Sequence, residues 1–435
     1  MLTKSLHTYL LVVPLILGAY ASGLVYLAEQ SAIPITLFQL ALVTSVSGFL
    51  AYKFFQVDAK FEVYGMEKWY LLFLGLIFIS CIYTPERQQA IFYAIRFTVL
   101  LGMTYIVYNI LQQINQLQIA LISIVVSAAI VALINLYQIY ANPEILAFNY
   151  IKQGVRIIRS TGAENDPNVF ASNFFTPILL CVAWIGYAQK KWLRVLLFGV
   201  AGLMLASVIL SYSRSAWISI VIGVLVIQFY QRKNPFILYG LLALVILIIL
   251  SPTVQNLILS LWDRIIGLFT GGGDDSTKFR VVLASAALTM IADSYLLGVG
   301  FQGFSTYFQY LHPPQETQWI FEPHNDFYMV FAELGLLGFL LFVLIMVLIF
   351  RQALGSMKLF KQLGDNEREQ TSADEKTQVY FFQATSLGLM ASFLSYMVFA
   401  QFISGLMLNS IFMILVALIF SISKFAQLGF RSTTK

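Results

Sequence analysis

The sequence predicts an all-α integral membrane protein of about twelve transmembrane helices, with both termini cytoplasmic. Three observations carry this. The chain is 59% hydrophobic and only 11% charged, where a soluble domain carries roughly 25% charged residues. Its mean hydropathy is +0.80. Its apolar residues are gathered into runs near the ~20 residues that a helix needs to cross a bilayer.

In chain order the runs lie near 9–27, 33–55, 69–84, 89–110, 117–140, 168–188, 194–211, 214–230, 235–251, 327–350, 380–400 and 405–424. The first is long enough to span and lacks a small-residue cleavage site, so it reads as a retained helix. The third is short, and the seventh and eighth nearly touch at Tyr212-Ser213-Arg214. Sidedness follows from Lys and Arg. The short segments 189–194 and 231–234 hold Lys190, Lys191, Arg194, Arg232 and Lys233, which marks them as inner. The formal net charge of +5 is then loop topology, with no call for nucleic acid. The whole chain 1–435 reads as one polytopic domain. It includes a large outer loop over 252–326 with amphipathic helices, between the ninth and tenth spans, and a charged inner loop over 351–379. A further outer segment covers roughly 141–167.

Cys81 and Cys181 fall inside apolar runs and read as small buried hydrophobes. No Cys/His spacing suggests zinc, and no cofactor motif stands out. Gly298, Gly300 and Gly303 formally fit G-x-G-x-x-G. They follow no strand and open no βαβ unit, which argues against a dinucleotide site. Asp274-Asp275 could hold a divalent metal, but after three glycines it reads rather as a flexible solvated tip.

The chemistry-bearing residues gather on the outer side. His324 stands between Pro323 and the tenth span, where Asn325 or Asp326 can cap the helix. An imidazole there either accepts a proton near neutral pH or only bonds locally. Arg214, at the entrance of the eighth span, either holds an anion or snorkels to headgroups. Arg280 opens a helical pattern through Phe279, Val282, Leu283, Ala286, Ala287, Met290 and Ile291. Arg156 and Arg159 form a second basic outer segment before Asp166-Pro167-Asn168. Arg96 and Glu333 are ionisable groups inside spans, and Glu333 calls for a buried partner such as an arginine. His7 and His312 carry less: one is on the inner tail, the other in a loop before two prolines. Arginines with one histidine suit a lipid diphosphate, the guanidiniums neutralising the leaving group and the imidazole deprotonating a hydroxyl. A transporter or flippase of such a lipid is the alternative, with the arginines as a path. It would place ionisable groups near mid-membrane in several spans.

The pattern resembles the O-antigen ligase and O-antigen polymerase superfamily of bacterial envelopes. The resemblance rests on Arg159-Ser160-Thr161-Gly162 followed by Asp166-Pro167-Asn168, then Ser213-Arg214-Ser215-Ala216, then Arg280 with the Gly298-Val299-Gly300 turn. It closes on Pro323-His324-Asn325 leading into Glu333-Leu334-Gly335, and it covers roughly residues 155–340. It implies a fold like the class C glycosyltransferases, placed in the bacterial cytoplasmic (inner) membrane with the active face outward. The implied donor is a glycan on undecaprenyl diphosphate. The acceptor is a lipid-linked glycan for a polymerase or lipid A core for a ligase. It implies a metal-independent inverting transfer with no cofactor, His324 as base, and Arg214 and Arg280 on the diphosphate with Arg159 assisting. Arg156, Arg96, Glu333 and Asn325 are further site candidates.

Overall fold

The computed structural model describes residues 8–20, 37–54, 61–141, 147–152, 155–161, 164, 166–231, 275–312, 322–366 and 373–428. Among these, seven helices are long and apolar enough to cross a membrane: Arg87–Ile110, Ile114–Ala141, Pro167–Tyr187, Lys191–Leu210, Asp326–Gly364, Thr377–Phe399 and Ser410–Gln427. They fall on seven of the runs read from the sequence, and the chain is a multi-pass membrane protein. Two further runs appear as the shorter apolar helices Leu10–Tyr20 and Gln39–Ala51, and a third as Arg214–Tyr230. The run 69–84 gives a helix of only 14 residues, Glu67–Ser80. The run 235–251, the tip at Asp274 and the residues 252–274 of the outer loop lie outside the described residues.

Named in order, the helices that position the site are α1 (Ile114–Ala141), α2 (Pro167–Ser172), α3 (Phe175–Tyr187), α4 (Lys191–Leu210), α5 (Arg214–Tyr230), α6 (Asp275–Asp293), α7 (Phe304–Leu311), α8 (Asp326–Asn366), α9 (Ala373–Phe399) and α10 (Ser410–Leu428). Helix α9 is the hub and packs on α3, α8 and α5. Small residues let it approach closely. A Cβ on Gly388 would stand 3.1 Å from Leu180, and one on Gly223 of α5 would stand 2.5 Å from Ser395 Oγ. Aromatic rings fill the junction: Phe175 meets Tyr396 at 5.1 Å and Phe399 at 5.2 Å. Within its apolar window α10 buries 83% of its residues and α4 only 22%, so α10 is central and α4 lines the perimeter. Cys81 and Cys181 are both buried free thiols.

Two features depart from the sequence reading. The segment between α1 and α2 holds a two-stranded antiparallel hairpin, β1 (Ala147–Lys152) and β2 (Val155–Ser160), a local addition to an otherwise helical fold. The β-branched Ile151, Val155, Ile157 and Ile158 favour strand there. Ser160 Oγ donates to Asn135 Oδ1 of α1 at 2.5 Å and fixes the end of β2 to the bundle. The charged segment after 350 is helical to Asn366. Ala353, Met357 and Phe360 recur at helical spacing and are buried, with Phe360 stacked on Phe382 at 5.9 Å. Leu354, Leu359 and Leu363 pack against the same core, an apolar face that the high charge content conceals.

Candidate functional site

Helix α8 begins at the residue after Asn325, and Asn325 is its cap. Its Oδ1 accepts from Phe327 N–H (2.9 Å) and Tyr328 N–H (3.1 Å). Its Nδ2 donates to Gln401 at the carbonyl (3.3 Å) and at Oε1 (3.2 Å). His324, one residue earlier, has φ +49°. A side chain with a Cβ avoids this left-handed region at a cost of roughly 1–2 kcal/mol, and strain of this kind collects at functional sites. Its imidazole is part-buried. Burial pushes its pKa below the ordinary histidine value, the Arg280 guanidinium pushes it further, and Asp166 opposes. The net direction keeps the ring neutral at pH 7.

Arg280 comes from the first turns of α6. Leu283, Ala286, Ala287, Met290 and Ile291 form the buried face of this helix, packed with Phe304, Phe308 and Ala332. Phe279 and Val282, expected on that face, are exposed. The guanidinium lies 5.9 Å from the ring centre of Phe402, a cation–π contact, and burial lowers its pKa.

The third component is the start of α2. Asp166 caps it through the amides of Asn168 (2.6 Å) and Val169 (3.2 Å). Asn168 Oδ1 accepts from Ser213 Oγ at 2.8 Å. Ser213 precedes Arg214, the first residue of α5, and Tyr212 before it has φ +52°. One hydrogen bond thus ties the segment carrying Arg214 to the segment carrying Asp166. Glu322 keeps part of its surface open, yet the protein packed around it and the Asp166 carboxylate both raise its pKa.

The glycines form a backbone lock. Helix α8 is interrupted at Gly335 (φ 68°, ψ −168°). The break frees carbonyls that the 296–300 turn takes up: Val299 N–H donates to Ala332 (2.8 Å) and Gly300 N–H to Glu333 (2.9 Å). Leu336 N–H donates in return to Leu296 (2.9 Å). The contact leaves no room for side chains. A Cβ on Gly335 would stand 2.3 Å from the Leu296 carbonyl oxygen, and one on Gly298 would stand 2.5 Å from that of Glu333. The formal dinucleotide fingerprint is thus a packing device. Gly335→Ala should destabilise the fold by about 2–4 kcal/mol from left-handed strain and overpacking. A thermal unfolding midpoint in detergent equal to wild type would contradict this.

Glu333 finds a different partner from the arginine anticipated. It is buried, and its carboxylate accepts from the backbone of Gln302 and from Phe304 N–H at 3.4 Å. Arg96 stands apart, exposed on the bundle surface, with Nη2 donating to the Leu408 carbonyl at 3.4 Å. Arg156 and Arg159 lie on β2, paired in register with Ile151 and Phe148. His312 ends α7 with its ring 4.9 Å from Phe308.

His324, Arg280 and the Arg214 segment are therefore brought to one end of the bundle, with Asn325 as the cap that fixes the loop. Sequence reasoning missed Phe402, Gln401, Glu322 and the electrostatic role of Asp166. Asp166 was visible as a cap. Phe402 and Gln401 fall in the short gap between the runs 380–400 and 405–424 and carry no signal of their own. A neutral imidazole beside a guanidinium can take a proton from a hydroxyl while the cation holds an anion.

The Wzy_C family model, described as O-antigen ligase, matches residues 199–343. The match includes Arg214, Arg280, His324 and Glu333, and excludes both hairpin arginines and Phe402. No curated protein matches the chain.

Proposed function

We propose that this chain, an enzyme carrying an O-antigen ligase family domain over residues 199–343, moves a glycan from undecaprenyl diphosphate to an acceptor hydroxyl. The reaction takes place at the outer face of the bacterial cytoplasmic membrane. The observation that carries this reading is the placement of the His324 imidazole, on a strained backbone at the head of α8, within electrostatic reach of Arg280. His324 removes the proton from the acceptor hydroxyl as the oxygen attacks the anomeric carbon. The bond from that carbon to the diphosphate breaks, and the diphosphate leaves with the electron pair. Arg280 and Arg214 hold the leaving diphosphate, and Arg159 assists. Arginine suits this role because its planar fork binds two phosphate oxygens together. The start of α5 adds a positive helix end beside Arg214. On this reading the reaction needs no metal ion.

The transfer should have a dependence on pH that follows from the geometry. A base must be unprotonated, so kcat/KM falls as pH drops through its pKa. The acid limb should have its midpoint below ~6.5, the ordinary histidine value. A midpoint above 7 would remove His324 from the role.

The direct test is a transfer assay on purified protein with undecaprenyl-diphosphate glycan, with and without EDTA, read as product chain length. A ladder without added lipid A core means polymerase. Product only with lipid A core means ligase. Loss of product in EDTA overturns the metal-free chemistry. Donor that crosses a vesicle membrane with no transfer means a flippase and overturns the proposal.

A further inference from the structure

Asp326 is a buried carboxylate with no part in the proton transfer or the diphosphate clamp. It is 3% exposed, two residues after His324, and its N–H and its carboxylate both bond to the crossover between α9 and α10. Its N–H donates to the Ala400 carbonyl at 2.8 Å. Its Oδ1 accepts from Gly405 N–H at 2.7 Å and Leu406 N–H at 3.2 Å, with Oδ2 3.3 Å from the latter. Gly405 has φ +91°, a conformation that turns two successive amides towards one anion. Asp326 thus grips the crossover on both sides of Phe402, the ring beneath Arg280. Asn325 takes the intervening Gln401.

We infer that Asp326 is a positioning residue: its grip on Ala400, Gly405 and Leu406 seats Phe402 under Arg280 and fixes that guanidinium relative to His324. This rests on the transfer reading above. The same grip explains how the strained backbone of His324 persists, because such a conformation needs surroundings that over-determine it. Losing the carboxylate leaves both arginines charged and within reach of the diphosphate. What changes is alignment, and a misplacement of about 1 Å can cost up to ~10²-fold in rate. The signature is a loss in kcat with little change in donor KM.

The test compares Asp326→Ala, Asp326→Asn and Phe402→Leu in the full-length protein, using undecaprenyl-diphosphate glycan and the acceptor that wild type accepts. Asp326→Ala should lose tenfold or more in kcat, with donor KM within about twofold. Asp326→Asn keeps an Oδ1 acceptor for the two amides and should retain activity within a few fold of wild type. Phe402→Leu should lose kcat in the same manner, and combining it with Asp326→Ala should add nothing, because both act on one contact. Hydrogen exchange over 400–409 should quicken in Asp326→Ala. Wild-type kcat in Asp326→Ala, losses that multiply in the double variant, or unchanged exchange would overturn the inference. If Asp326→Ala does not fold, full kcat in Phe402→Leu overturns it alone. Failure of the transfer reading looks different: wild type itself then yields no product.

Discussion

His324→Ala should abolish transfer while leaving the donor bound. A general base contributes about 10²–10⁴ to rate, so turnover should fall by that factor. The affinity for undecaprenyl-diphosphate glycan should hold within a few fold, because the proposed clamp is Arg214 and Arg280, which the substitution leaves in place. Fold should survive. The strain at φ +49° belongs to the backbone, and alanine inherits it without the ring. The cap bonds of Asn325 to Phe327 and Tyr328 do not involve the imidazole. His324→Gly would relieve the strain and lose the base together, so it separates the two effects: equal inactivity with a higher unfolding midpoint is expected. Full turnover in His324→Ala would end the base assignment.

Arg280→Gln should be nearly as damaging and should show it in two observables. Removing one preorganised donor from a site of developing charge costs about 10²–10³ in kcat, and the lost charge should raise donor KM as well. Arg280→Lys should not restore activity, because an ammonium lacks the planar fork and stacks less well on Phe402. The second observable is the acid limb of the pH profile. Arg280 is one of the two influences that depress the His324 pKa; burial is the larger. Without the guanidinium the pKa rises, the ring protonates at higher pH, and the acid limb moves upward. An unchanged limb would mean that His324 is not the titrating group or that Arg280 does not face it. Ionic strength gives a control, since a part-buried pair is screened less than a surface one.

How far the sequence could be read depended on whether a residue's partner was near it in the chain. The spans announced themselves because twenty apolar residues in a row have few other uses. The cap at Asn325 and the buried face of α6 were legible for the same reason: each is a pattern within one or two turns. The Arg96 site candidacy and the arginine partner imagined for Glu333 rested on charge inside a span, which does not say which way a side chain points. Arg96 turned to the surface, and Glu333 turned to the amides of a loop some thirty residues earlier. The hairpin at 147–160 was hidden by reading an outer segment as mere connection. Phe402 and Asp326 were illegible in principle, since their meaning depends on a crossover that approaches from the far end of the chain.

That distance has a consequence in time. Chains are made from the N-terminus, so His324, Arg214 and Arg280 exist before the crossover between α9 and α10. The turn at 296–300 also precedes the carbonyls of Ala332 and Glu333 that it will bond. A nascent chain halted before residue 400 would hold His324 with no Ala400 carbonyl, no Gly405 amide and no ring under Arg280. On the proposed reading the crossover between α9 and α10 completes the site, so transfer becomes possible only once α8, α9 and α10 have been made and packed together.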